Sequence, residues 1–153
     1  MRQALSRFGC RLYAYVLMDN HVHLLLTPGE AGAVSRPVHT FARNYVGSFN
    51  GRHRRTGMLW EGRYKACLVR SRSCFLACSR YVELNPVCAW MVAQPYDHPW
   101  SSYAANADGH IDSLLTPHPE YLALGSNPLT RAVAYRALFA EALSGELVAE
   151  IWT

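Results

Sequence analysis

Apolar positions along the chain gather into short blocks separated by polar and glycine- or proline-bearing breaks. The block Arg11–Met18 (RLYAYVLM) is dense in aromatic and β-branched residues and predicts a strand. Asp19-Asn20 is a two-residue turn into a second apolar run, His21–Thr27 (HVHLLLT), so the pair predicts a hairpin, ended by Pro28-Gly29. Ahead of it, Met1–Phe8 reads as the tail of a helix closed by Gly9. A helix is expected over Ser35–His53, with Pro37 tolerated in its first turn. Gly57 then separates it from a third strand, roughly Leu59–Val69. Ser71 or Ser73 caps the next helix, which runs to Asn85 and stops before or around Pro86. Its apolar stripe is Phe75, Cys78 and Val82, with Tyr81 and Asn85 one turn apart at the stripe's edge. Gln94–Tyr103 reads as a loop with packed aromatics, and Pro117–Leu124 and Pro128–Leu143 as helices. The order strand-strand-helix-strand-helix, with a helical tail after it, predicts an α+β fold with an antiparallel sheet.

Composition narrows the class. A chain of 153 residues, half of them apolar and 17% charged, has enough length for a proper core. No apolar stretch approaches the roughly 18 residues needed to span a membrane, and no signal-peptide pattern opens the chain. Cys10, Cys67, Cys74, Cys78 and Cys88 contain no C-x-x-C pair and are expected to be reduced thiols of a cytoplasmic protein. The net charge of +4 hides an asymmetry: nine of the fifteen Lys and Arg lie between Arg36 and Arg72, where Glu61 is the one acid. From Val82 onward eight acids face only Arg131 and Arg136. The basic stretch interleaves with Phe41, Tyr45, Phe49, Trp60 and Tyr64, the mixture of cations and rings that suits nucleic acid; a solvated charged face is the plainer alternative.

The chemistry begins at His21-Val22-His23. Residues i and i+2 of a strand share a face, so both imidazoles are expected on one side, with Val22, Leu24 and Leu26 turned to a core on the other. Two imidazoles on one face suit a divalent metal, and equally suit two half-buried histidines hydrogen-bonded to backbone or water. Tyr81 alone reads as a rim residue and Asn85 as a helix-end residue. Together with the histidines they form a more specific set. A phenol can attack a phosphodiester, and a metal held by two imidazoles and an amide oxygen can polarise that phosphate.

At this point the chain resembles a known family. Tyr15–Leu26 (YVLMDNHVHLLL), Gly62–Ala66 (GRYKA), Arg80–Val87 (RYVELNPV) and Pro99–Tyr103 (PWSSY) look, in that order, like the motifs of single-tyrosine HUH transposases. The closest resemblance is to the REP-associated tyrosine transposase group, which carries an IS200-like transposase domain. It implies His21, His23 and Asn85 as metal ligands for Mg2+ or Mn2+, and Tyr81 as the nucleophile. It further implies cleavage and rejoining of single-stranded or hairpin DNA through a 5′-phosphotyrosine, by a monomer or homodimer with no membrane association. Arg52, Arg54, Arg55, Arg63 and Lys65 would then hold phosphates.

The family's ferredoxin-like fold starts about fifty residues earlier than this chain, with a first strand that lies centrally in the sheet. Residues 1–103 are therefore expected to be an N-terminally incomplete transposase domain, and residues 104–153 a helical extension. The gap predicts marginal stability and self-association through unpaired strand edges. Family members also usually carry arginine and glycine where this chain has Cys88 and Trp90. Two rival expectations remain: a catalytically inactive DNA-binding remnant of such a transposase, and, more weakly, a zinc-dependent hydrolase.

Overall fold

The computed structural model describes residues 1–151, with the backbone alone at Arg72, Ser73, Glu146, Leu147 and Glu150. Its elements run α1 (Arg2–Arg7), β1 (Arg11–Leu17), β2 (Val22–Thr27), α2 (Ser35–His53), α3 (Arg72–Cys88), α4 (Tyr103–Asp108), α5 (Pro119–Leu122), α6 (Pro128–Ala137) and α7 (Gly145–Ile151), with single 3₁₀ turns at Pro95–Asp97 and Leu138–Ala140. The class is α+β, as the hydrophobic pattern predicts. The chain gathers into two compact units, residues 1–11 with 27–66, and residues 12–26 with 67–153.

In the first unit α1 closes as expected. Gly9 sits at φ +60, and the N–H of Cys10 reaches the carbonyl of Leu5 at 2.9 Å while that of Gly9 reaches Ser6 at 3.2 Å, the paired bonds of a Schellman cap. Gly29 passes so close to this cap that a Cβ there would lie 2.3 Å from the Phe8 carbonyl oxygen. Helix α2 has the predicted bounds. Phe41, Tyr45 and Phe49 recur every four residues along it, and Trp60 packs over the first two with centroid distances of 6.4 and 5.8 Å. Its indole N–H donates to the Ala42 carbonyl at 3.2 Å.

That packing replaces the expected third strand. Residues 59–69 form no strand: Gly62 takes φ +94, which breaks an extended run, and Trp60 is anchored to a helix rather than to a ladder.

In the second unit β1 and β2 form the predicted hairpin, closed by a bond from the Met18 N–H to the His21 carbonyl at 2.9 Å. Neither Asp19 nor Asn20 has positive φ, so the turn is not the mirror-image type. Leu12, Ala14 and Val16 are fully buried, and Ala14 and Val16 meet Val82 of α3 in a core against which Leu25 packs. In β2, Leu25 on the histidine face packs against this core, while Leu24 and Leu26, expected to be the core-facing residues, are half-buried as Leu25 is. The stripe Phe75, Cys78 and Val82 is buried as predicted. A second core joins Tyr103 and Ala107 of α4 to Tyr135 of α6. Tyr96 and Trp100, expected to pack within their loop, are 59% and 64% exposed.

Ser71 caps α3, accepting from the Cys74 N–H at 3.2 Å, while the side chain of the alternative cap, Ser73, lies outside the described residues. Contrary to expectation, α3 continues through Pro86 to Cys88, which costs one internal bond in the last turn. It ends in another Schellman arrangement: Met91 N–H to Pro86 carbonyl at 2.9 Å and Trp90 N–H to Val87 carbonyl at 3.0 Å. Trp90 occupies the left-handed position at φ +58 with its side chain 94% exposed. A tryptophan there carries Cβ strain that glycine lacks, with little packing in return. Trp90→Gly should therefore stabilise the fold by about 1 kcal/mol, raising Tm by about 2–4 °C; an unchanged or lower Tm in a calorimetric scan would show that the indole contributes something else.

Helix α3 also buries Glu83 completely. Its carboxylate accepts from Ser102 Oγ, from Asn106 Nδ2 at 2.9 Å and from Tyr135 Oη at 2.8 Å. Burial lifts this carboxyl from its ordinary 4.5 to about 7 against the opposing pull of the three donors. A raised carboxyl holds its proton in the fold while the unfolded chain has lost it. Its contribution to stability is thus complete below about pH 4.5 and is lost as pH rises to about 7. The Tm of the wild type should fall more steeply between those values than that of Glu83→Gln, and parallel curves for the two proteins would reject a titrating Glu83.

Candidate functional site

Strand β2, the turn before it and one face of α3 bring together four of the residues singled out by sequence. The rings of His21 and His23 lie 5.0 Å apart, edge to face, so the two imidazoles share a side of the hairpin. The Tyr81 ring stands 5.7 Å from His23, also edge to face. Asn85, one turn further along α3, turns its amide nitrogen to the Tyr81 carbonyl at 3.4 Å, and its side chain hydrogen-bonds His23. The amide oxygen is therefore the end directed at His23. His21 is exposed, whereas His23, Tyr81 and Asn85 are half-buried.

The electrostatics favour a neutral imidazole at His23. Burial lowers the pKa of His23, the neighbouring His21 lowers it further, and the bond to Asn85 works in the opposite direction. His21 is oriented by a residue that the sequence pattern marks only as a turn former. Its Nδ1 lies 2.6 Å from Asn20 Oδ1, so Nδ1 carries a proton and donates, and Nε2 is the nitrogen turned away from this bond. The signal for Asn20 is its adjacency to the dyad, but an Asp-Asn pair between two strands is fully explained by the turn. Glu83, also inconspicuous in the sequence, anchors α3 midway between Tyr81 and Asn85.

Two imidazole nitrogens and one amide oxygen make a donor set that fits a divalent ion and leaves positions open for substrate oxygens. Among the described residues no three His, Cys, Asp or Glu side chains gather at a metal-binding distance, so an amide is needed to complete a set here. All five cysteines are free thiols, as expected.

Arg52, Arg54, Arg55, Arg63 and Lys65 belong to the first compact unit and are all exposed. Arg54 caps α2 in the left-handed region at φ +50, and the guanidinium of Arg55 lies 5.9 Å from the centre of the Phe49 ring. The rings expected beside them as stacking surfaces are partly used among themselves, with Tyr45 47% and Tyr64 39% exposed. No helix of the described residues is long and apolar enough to cross a membrane.

No curated protein and no solved structure matches this chain. The sequence model of one family, described as transposase IS200 like, matches residues 1–85, a span that ends on Asn85 and contains both histidines and Tyr81. With more than half its length under that match, the chain belongs to the IS200-like transposase family.

Proposed function

We propose that this transposase is a metal-dependent endonuclease and strand transferase acting on single-stranded or hairpin DNA, with Tyr81 as its nucleophile. The observation that carries the reading is the convergence of His21, His23, Tyr81 and Asn85 from two elements onto one small surface. His21, His23 and Asn85 would hold Mg2+ or Mn2+, which when bound supplies Lewis-acid polarisation of the scissile phosphate.

Tyr81 Oη attacks phosphorus, the Oη–P bond forms and the P–O3′ bond breaks. The phenol gives up its proton and the departing 3′-oxygen takes one, so the step needs no external proton or energy source. The product is a 5′-phosphotyrosine and a free 3′-hydroxyl, and attack by another 3′-hydroxyl reverses the chemistry onto a new strand. The contact with His23 and the position on a helix anchored at Glu83 hold the phenol in one orientation, which is the part of the barrier that positioning removes. Arg52, Arg54, Arg55, Arg63 and Lys65 hold the backbone of the bound strand through its phosphates. The rival reading, a DNA-binding remnant without cleavage, differs only in lacking the covalent step.

Incubation of the protein with a single-stranded oligonucleotide and Mn2+ should give a covalent adduct that survives denaturation. Tyr81→Phe keeps the ring and its packing, so it should bind DNA as the wild type does and form no adduct. Asn85→Ala should reduce cleavage and raise the Mn2+ concentration needed, with DNA affinity retained. An adduct that persists in Tyr81→Phe would point to another nucleophile, and its absence from the wild type would favour the remnant.

For the basic stretch, the double variant Arg63→Gln/Lys65→Gln should weaken binding to single strands of any sequence and flatten the dependence of affinity on salt. A salt slope identical to that of the wild type would mean these two side chains are solvated and touch no phosphate.

A further inference from the structure

Helix α2 has two unlike faces. Phe41, Tyr45 and Phe49 lie along one, and Trp60 packs on the first two. Arg36, His39, Thr40 and Arg43 lie along the opposite one, at the three-, four- and seven-residue spacings that put side chains in a row. This second face lines a pocket whose remaining walls are Ser35 and Phe8, the residue that caps α1. Arg36 and Arg43 are exposed, and among the described residues no carboxylate forms an ion pair with either. Phe8 is half-buried, with the guanidinium of Arg7 5.4 Å from its ring centre. The Tyr64 ring stands 6.4 Å from that of His39 at the same face.

We infer that this pocket takes one nucleotide of a single-stranded DNA, with Arg36 and Arg43 on the phosphodiester backbone and a base against Phe8. The inference rests on the DNA-processing reading above. It adds a binding subsite made of residues other than the basic stretch from Arg52 to Lys65. The chemistry matches the ligand in each part. Two guanidiniums two helical turns apart, about 10 Å along the axis, span more than one phosphate of a strand. The Ser35 and Thr40 hydroxyls can donate to phosphate oxygens between them. A ring at one wall offers any base a stacking partner without selecting sequence. A base offers the ring a flat face to stack on, which lipid head groups and carboxylates do not.

The test is a filter-binding titration of the full chain with an unstructured thymidine oligonucleotide across a range of salt, with Tm measured for each variant. Arg36→Gln/Arg43→Gln should weaken binding on the order of tenfold at low salt and reduce the magnitude of the salt slope by about 1.4, the value for two lost contacts to a single strand. Phe8→Leu keeps an apolar side chain at α1, so it should weaken binding about fivefold or more while leaving the salt slope unchanged. A wild-type slope in the arginine variant overturns the inference, since those cations would then be solvated. Wild-type affinity in Phe8→Leu overturns it as a nucleotide pocket. If the wild type binds the oligonucleotide but forms no adduct in Mn2+, the cleavage reading fails while the pocket stands. If it binds no DNA at all, both fall.

Discussion

A two-stranded hairpin is not stable in water by itself, and β1 is buried on both faces, so the backbone of its second edge has to find partners within the chain. Among the described residues no third strand supplies them. The Leu17 N–H donates to the Trp100 carbonyl at 2.8 Å, the Ser102 N–H to the Tyr15 carbonyl at 2.9 Å, and the Tyr15 N–H to Ser102 Oγ at 2.9 Å. His98 Nε2 donates to the Leu17 carbonyl at 2.9 Å, Asn106 Nδ2 to the Tyr13 carbonyl at 3.3 Å, and the Thr116 N–H to the Leu12 carbonyl at 2.7 Å. An irregular segment, tied by side chains as much as by backbone, thus does for β1 what a ladder would do. Because the same segment leads into α4, the requirement of one buried strand edge organises much of the chain beyond α3.

The candidate site is legible in the sequence because it depends on short-range geometry. The i, i+2 spacing of His21 and His23 places two rings on one side of the hairpin whatever surrounds it, and the i, i+4 spacing of Tyr81 and Asn85 does the same on α3. That these pairs face one another is a long-range fact, reached through resemblance rather than periodicity. Asn20 and Glu83 escape a sequence reading for different reasons. Asn20 performs two tasks and the turn accounts for its presence; Glu83 looks like any glutamate on an amphipathic helix until its three distant donors are seen.

Where the fold departs from the hydrophobic pattern, the reasons are also physical. Residues 59–69 have strand composition, yet composition does not provide an edge to pair with, and Gly62 in the left-handed region interrupts the run. Pro86 resembles a stop, but a proline late in a helix removes only one bond, and α3 absorbs the loss before its cap at Trp90. The inward face of β2 is not readable from alternation, which separates two faces without saying which one meets the core. Leu25 packs on the core from the histidine face, so half-buried His23 lies at the rim of that core while His21 stays exposed.

The family match ends at Asn85, but the carboxylate two residues earlier has its donors at Ser102, Asn106 and Tyr135. Removing the chain beyond Asn85 would take away all three donors, and with them much of what covers this carboxyl, on the helix that carries Tyr81. The matched segment and the chain that follows it are therefore not interchangeable modules. Exchange of C-terminal segments between relatives is constrained to donors that carry a hydroxyl, an amide and a phenol at these three places. Glu83 and its three partners are expected to be inherited, or lost, as one unit.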